Sequence, residues 1–240
     1  MTNSNEILPN KLTDKELNEL PDEYWKTPAK IVTDVDYLSE PTTPVESLEL
    51  GEKIAAKLLY TLAKTKNGIA LTANQIGISK SVFVVNVIRP MIFINPEVTG
   101  FSNDTLIYKE TCLSLPGKKA KVRRHFNVKM KALNIENELF LGVNEEDYRI
   151  SRNRAFLDRK LLECVAAQHE FDHTQGILIT DQDLTLKPIV NEHKYGRNEK
   201  IRIVNFNDKE KPMKEIKFKH LPEWKKKGWS LVEELKLEEV

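Results

Sequence analysis

Between Val45 and Lys66 apolar residues return at helical intervals, with Leu48, Ile54, Ala55, Leu58, Leu59 and Leu62 on one side of an amphipathic helix that stops at Asn67-Gly68. A second helical pattern runs from Leu157 to His173. Its apolar residues are Leu161, Leu162, Cys164, Val165, Ala166, Ala167 and Phe171; no Gly or Pro interrupts it, and Gly176 follows as a stop. Shorter β-branched or apolar runs predict strands at Ser81 to Val87, at Met91 to Ile94 before Asn95-Pro96, and at Thr105 to Tyr108. Toward the C-terminus, Ile201 to Phe206 and Glu215 to Phe218 read as strands and Ser230 to Leu237 as a closing helix. The first thirty residues are polar. They predict one short helix, Asp14 to Leu20, on a surface arm.

A chain of 240 residues holds one domain with a sizeable core, or a core domain with appendages. Its 37 basic and 36 acidic side chains balance, so composition gives no sign of a global affinity for nucleic acid. The first thirty residues carry six acidic side chains, no Arg and no apolar run, which speaks against a secretory or transit segment. No stretch approaches the ~18 apolar residues of a membrane span. The expectation is a soluble cytoplasmic protein. Its two cysteines do not make a disulfide framework.

Chemistry enters through Gln168-His169-Glu170-Phe171-Asp172-His173, which writes His-Glu-x-x-His inside the second helix. At ~100° per residue His173 lies about 40° around from His169, and Glu170 about 60° past His173, so two imidazoles and a carboxylate share one pocket. Leu162, Val165 and Ala166 fall on that face, whereas Cys164 points roughly opposite and reads as a small core thiol. The other cysteine, Cys112, sits in Lys109-Glu110-Thr111-Cys112-Leu113-Ser114-Leu115-Pro116-Gly117, on an extended segment before a Pro-Gly turn. Its thiolate would complete a two-His, one-Cys metal site with a fourth position open to water. Iron(II), zinc, nickel and cobalt all suit such donors. An ion held this way lowers the pKa of water to near ~7, and Glu170 is placed to take and return the proton. The segment Gly68-Ile69-Ala70-Leu71-Thr72-Ala73-Asn74-Gln75 brings small residues, which let backbone approach a ligand, together with one long amide. Asp172 and Glu110 read either as groups orienting a ligand or a basic residue, or as salt-bridged surface carboxylates.

Three motifs in this order, Gly-Ile-Ala-Leu-Thr-Ala-Asn-Gln, Glu-Thr-Cys-Leu-Ser and Gln-His-Glu-Phe-Asp-His, resemble the signature motifs of the peptide deformylases. The resemblance runs from about Leu38, with Pro41-Thr42-Thr43-Pro44-Val45 as the opening loop, to about Ile179. It implies an α+β fold in which antiparallel strands enclose the helix bearing the His pair. It also implies removal of the N-formyl group from the initiator methionine of new polypeptides. Carried over by position, Cys112, His169 and His173 would hold one divalent metal ion, iron(II) in the cell, and Glu170 would be the acid/base. Gln75 and the N–H of Leu113 would face the formyl oxygen. Gly68, Ile69, Ala70, Glu110 and Thr111 would run beside the substrate, with Leu162, Val165 and Ala166 lining an apolar pocket for its methionine.

The chain departs from the family pattern where Ala70 and Thr111 replace Gly, where Thr72 replaces the first of two paired Ala residues, and where Lys119 replaces an Arg. Side chains at 70 and 111 would narrow the cleft. A charged stretch, Asn144 to Arg154, is inserted before the second helix. The division expected is an N-terminal extension (1–30), a deformylase-like catalytic domain (31–180) and a C-terminal extension or small subdomain (181–240).

From Lys209 to Lys227 the last part carries eight Lys against three Glu, with Trp224 and Trp229 close by. It reads as a solvated face or as a surface docking to ribosomal RNA near the emerging substrate. Two other functions stay open. A zinc peptidase would share His-Glu-x-x-His and need a further ligand downstream, for which His193 and Glu192 are available. A non-catalytic homologue would bind formylated chains without cleaving them.

Overall fold

The computed structural model describes residues 12–144, 152–184, 198, 200–204, 213–227 and 229–231. The chain divides into two compact units, Met1–Leu186 and Lys187–Val240.

In the first unit, helix α4 (Leu48–Lys64) starts where the Ser47 hydroxyl accepts from the Leu50 N–H at 3.2 Å. Its apolar stripe, Leu50, Ile54, Leu58 and Leu62, packs on Leu71, Val82, Val84 and Ile94. Gly51 permits that approach, since a Cβ there would lie 2.5 Å from Ile94 Cγ2. Three short helices precede it: α1 (Asp14–Asn18), α2 (Asp22–Trp25) and α3 (Val35–Leu38). The polar arm expected from 1–30 is packed from residue 12 onward. Leu17 and Trp25 are buried in the same cluster as α4, Asp14 pairs with Lys80, and the Lys57 amino group donates to the carbonyls of Tyr24 and Thr27 at 2.6 and 3.1 Å. Leu12, Leu20, Tyr24 and Ala29 add partly buried contacts to the same cluster at no regular period, so the segment's polar composition hid the packing.

Beside α4 lies an antiparallel sheet of β1 (Ala70–Thr72), β2 (Val82–Asn86) and β3 (Pro90–Ile94), in that order. Leu71 faces Val84 and Val84 faces Ile92 across it. The rest of the unit's strands are β4 (Glu97–Phe101), β5 (Thr105–Glu110), β6 (Ala120–His125), β7 (Asn127–Ala132) and β8 (Ile135–Gly142). They form an antiparallel sheet β4-β7-β8 and a hairpin β5-β6. In β6 burial alternates, with Ala120, Val122 and Arg124 inside. The sheet β4-β7-β8 and the strand β6 were not read from the sequence.

The 21-residue helix α5 (Arg154–Thr174) carries His169 and His173 in its last turns. Its Cys164, Ala166 and Ala167 pack with Phe83, Phe93, Val128, Met130 and Leu141 from the two three-stranded sheets. Where β8 ends, Gly142 has φ +102°, and a Cβ there would lie 2.9 Å from Cys164 Sγ and 2.2 Å from the Phe126 carbonyl oxygen. The strand and the helix touch because that side chain is missing. Most of the inserted charged stretch lies outside the described residues.

The second unit has its own antiparallel sheet, β10 (Met213–Lys217), β9 (Lys200–Val204) and β11 (Ser230–Leu231), around Ile201, Ile203, Leu221 and Trp229. Ser230 and Leu231 pair with Val204 and Ile203 as a strand, not as the start of the expected helix. The remainder of that helix falls outside the described residues. Lys214 Nζ lies over the rings of Trp224 and Trp229, 5.0 and 4.5 Å from their centroids. Among the described residues no helix is long and apolar enough to cross a membrane.

Candidate active site

Two elements deliver the chemistry. Strand β5 ends at Glu110, and Cys112 follows in a turn closed by the Leu115 N–H on the Cys112 carbonyl at 3.1 Å. Helix α5 presents His169 and His173 one turn apart, their ring centroids 5.0 Å from each other. One donor atom each from Cys112, His169 and His173 falls in a group within 4.8 Å, and all three residues are buried. The Cys112 Sγ to His173 Nε2 distance is 3.2 Å.

This donor set suits a divalent cation. His169 Nδ1 lies 2.8 Å from Glu110 Oε2, so the bond to the carboxylate places the proton on Nδ1 and leaves the Nε2 lone pair for an ion. Burial acts to hold His169 deprotonated, but Cys112, Glu110 and the charge of Glu170 overcome it and raise its affinity for a proton well above the ordinary value. A field that holds a proton there favours any cation in the same place. His173 is pushed the other way, mainly by burial, and stays a neutral imidazole.

Glu110 is itself held. Arg124 of β6 grips it through two bonds, Nε to Oε1 at 2.6 Å and Nη2 to Oε2 at 2.9 Å, and reaches Asp172 Oδ2 with Nη1 at 2.5 Å. Burial alone would raise the Glu110 pKa, yet Arg124 and His169 bring it below the usual carboxylate value. Asp172, on α5, keeps a raised pKa through burial despite Arg124. One guanidinium therefore ties β5, β6 and α5 together. Sequence reasoning found both carboxylates but not Arg124. No pattern in the sequence marks it, because an arginine that turns inward between Arg123 and His125 breaks the apolar–polar alternation by which a strand is read.

Glu170 is buried, and that burial lifts its pKa to about 7 against the opposing charge of His169 and the hydroxyl of Thr72. Thr72 Oγ1 donates to Glu170 Oε2 at 2.6 Å. Gln75 lies in a 3₁₀ turn (Ala73–Ile76) directly after β1. Its Oε1 accepts from the Thr72 N–H at 2.9 Å, which turns its Nε2 toward Cys112 Sγ at 3.4 Å and Ser114 Oγ at 3.2 Å. Thr72 and Ser114 were not singled out as site residues, because neither hydroxyl belongs to a metal-binding or acid/base pattern.

A cavity of about 250 Å³ opens over these groups. Gly68, Ile69 and Ala70 line it on one side and Glu110, Thr111, Cys112 and Leu113 on the other, with Leu162, Val165, Ala166, His169 and Glu170 supplied by α5 and Gln75 by the turn after β1. His173 does not line it and meets Cys112 beside it. Among the described strands, β1 pairs only with β2 and β5 only with β6, so each has one edge without a neighbouring strand. Cys164 faces away from the site, in the core.

Comparison with known proteins adds a lineage to this geometry. The family model for polypeptide deformylase matches residues 28–188. A peptide deformylase of Prochlorococcus marinus (strain AS9601) is 34% identical over 193 residues, 77% of this chain and 82% of that protein. One from Phenylobacterium zucineum (strain HLK1) is 33% identical over 62% of this chain and 83% of its own length. Among solved structures, the peptide deformylase of Thermotoga maritima superposes with a TM-score of 0.54 at 28% identity, over 65% of this chain and 98% of that one. The matched region includes every residue that builds the cavity and the cysteine–histidine cluster, and the chain belongs to the polypeptide deformylase family.

Proposed function

We propose that this chain hydrolyses the N-formyl amide of the initiator methionine on newly made polypeptides and releases formate. The observation that carries the reading is that Cys112, from the turn after β5, meets His169 and His173 of α5 in one cluster, at a cavity that Cys112, His169 and Glu170 line. In this reading α5 is the family's central helix, residues 31–180 are the catalytic domain, and 1–30 and 181–240 are extensions.

Cys112 Sγ, His169 Nε2 and the His173 imidazole would hold one divalent ion, iron(II) being the occupant we propose, with zinc, nickel or cobalt also suited to the donors. Bound there, the ion supplies Lewis acidity and lowers the pKa of water to near ~7. The chain's own residues do the rest. Glu170, with a pKa of about 7, takes a proton from the attacking water at neutral pH and returns it to the departing amine nitrogen. Gln75 Nε2 and the Leu113 N–H donate to the formyl oxygen as the carbon becomes tetrahedral and that oxygen gains charge. Leu162, Val165 and Ala166 take up the methionine side chain. The peptide lies extended beside Ile69-Ala70 at the start of β1 and Thr111 just past β5, two strands that each have an edge without a neighbouring strand among those described.

The peptidase alternative loses ground because Cys112, which such an enzyme does not need, sits with the histidines. Its extra ligands, Glu192 and His193, lie outside the described residues. The non-catalytic alternative leaves a buried Glu170 and a pre-turned Gln75 without a task. The test is formate release from a formyl-Met tripeptide by protein purified without oxygen, beside Glu170→Gln with metal assayed in both. Turnover by the parent, and its loss in a variant that keeps its metal, is the expected result. No turnover from a fully loaded parent would overturn the reading.

On this reading the enzyme would meet its substrate in the cytoplasm, beside the ribosome. The Lys-rich segment 209–227 is proposed to dock there, and co-sedimentation of full-length protein and a 1–186 truncation with ribosomes checks it. Equal binding of the two would remove that role.

A further inference from the structure

We propose that Thr72 is a positioning residue that gives the two oxygens of Glu170 different tasks: its hydroxyl anchors Oε2, so that Oε1 is the atom that takes and returns the proton. The inference rests on the reading of Glu170 as the acid/base. Thr72 closes β1 and is fully buried. Its Oγ1 stands 2.6 Å from Glu170 Oε2 and 3.1 Å from the Glu170 carbonyl oxygen. A hydroxyl has one proton to give, and the shorter contact, to a group that is charged when it acts as base, takes it. Among the described residues no donor reaches Oε1, and Glu170 lines the cavity. The anchor also survives turnover. When Oε1 carries the proton, Oε2 is still an acceptor, so the side chain need not rotate between the two halves of the reaction. A glutamate left unanchored would lose that orientation to rotation about its own side-chain bonds.

The same residue fixes the second group of the site, since its N–H holds Gln75 Oε1 at 2.9 Å and so aims Nε2. Any amino acid but proline supplies that N–H. The hydroxyl is what this chain adds at a position where the family pattern has alanine, and the two functions of residue 72 can therefore be separated by substitution.

The experiment measures kcat, KM and metal content on a formyl-Met tripeptide for the parent, Thr72→Val, Thr72→Ala and Thr72→Ser. Valine keeps the shape and removes the donor, so kcat should fall about 10- to 100-fold, the worth of a hydrogen bond to a charged group, with KM within about two-fold. Alanine should lower kcat similarly and serves if valine disturbs the fold. Serine should restore most of the rate. A readout independent of turnover is the urea unfolding midpoint of Thr72→Val, Glu170→Gln and the double variant, which should be non-additive because the two side chains touch. Turnover by the parent with kcat of both Thr72→Val and Thr72→Ala within two-fold of it, or a loss confined to KM, overturns the assignment of Thr72 alone. No formate from the metal-loaded parent overturns the deformylase reading, and this one with it.

Discussion

Cys112 and Cys164 are both buried free thiols in the same unit, yet their surroundings make them different chemical objects. Cys112 follows a strand edge, borders a cavity, and faces an imidazole nitrogen at 3.2 Å and the Gln75 amide at 3.4 Å. Cys164 lies on another side of α5 among Phe83, Phe93, Val128 and Met130. Burial pushes its pKa up to about 12, even though the Gln168 amide donates to its sulfur at 3.3 Å. A thiol becomes a ligand where other soft or basic donors converge on it and a cation can enter. In an apolar shell the same group is only volume.

Removing each sulfur is the sharpest way to break this contrast. Cys112→Ala should lose the bound metal and more than ~10³-fold of the formate-release rate, because several kcal/mol of charge stabilisation leave with the ion. Cys164→Ala should keep its metal and its rate within about two-fold while losing about 1–2 kcal/mol of stability in urea. Metal loss from Cys164→Ala would erase the distinction. Next in size, Glu170→Gln should retain metal and lose ~10² to 10⁴ in kcat, which separates holding the ion from moving the proton. A smaller effect is expected at Glu110→Gln, where the His169 Nδ1–H loses a charged acceptor and metal affinity should fall about 10- to 100-fold in competition with a chelator.

The smallest effect tests Cys164 from the other side. Its pKa is raised in the fold, so the thiol's contribution to stability is fully present below its unfolded value of 9.0 and is lost as pH rises toward about 12. Unfolding midpoints measured from pH 8 to 11 should therefore drop more steeply for the parent than for Cys164→Ala. Parallel curves would show that the sulfur is less sheltered than its position indicates.

The two long helices and the metal-binding pattern could be read from the chain because α4 repeats apolar residues at the helical period, because α5 carries an apolar run free of Gly and Pro, and because two histidines four apart with an adjacent glutamate converge on one helix face, where their shared use is to hold an ion. The strands after Cys112 could not. In β6 and β7 every second residue is a charged or polar group facing out, as at Lys121, Arg123, Lys129 and Lys131. The inward set in β6 includes Arg124, so the alternation of apolar with polar that marks a strand is broken at the residue the site depends on. In residues 12–30 the short helix was legible, and stands as α1 at Asp14–Asn18, but the packing was not, because Leu17 and Trp25, with the partly buried Leu12, Leu20, Tyr24 and Ala29, follow no single helical or strand period. Thr72 was visible as a departure from the family pattern. What its hydroxyl touches depends on a helix 98 residues further along the chain.

The guanidinium shared by Glu110 and Asp172 also bears on how this sequence can change over time. Losing Arg124 alone strands two carboxylates in the interior, and losing a carboxylate alone leaves the cation under-compensated. Breaking a buried pair in this way costs about 3–5 kcal/mol, a large part of the roughly 5–15 kcal/mol that holds a typical domain together. A lineage trading this trio for another arrangement, one substitution at a time, has to cross a step at which folding itself is in jeopardy. The three charges constrain one another as a unit, so that a change at any one of them is tolerated best when the others change with it.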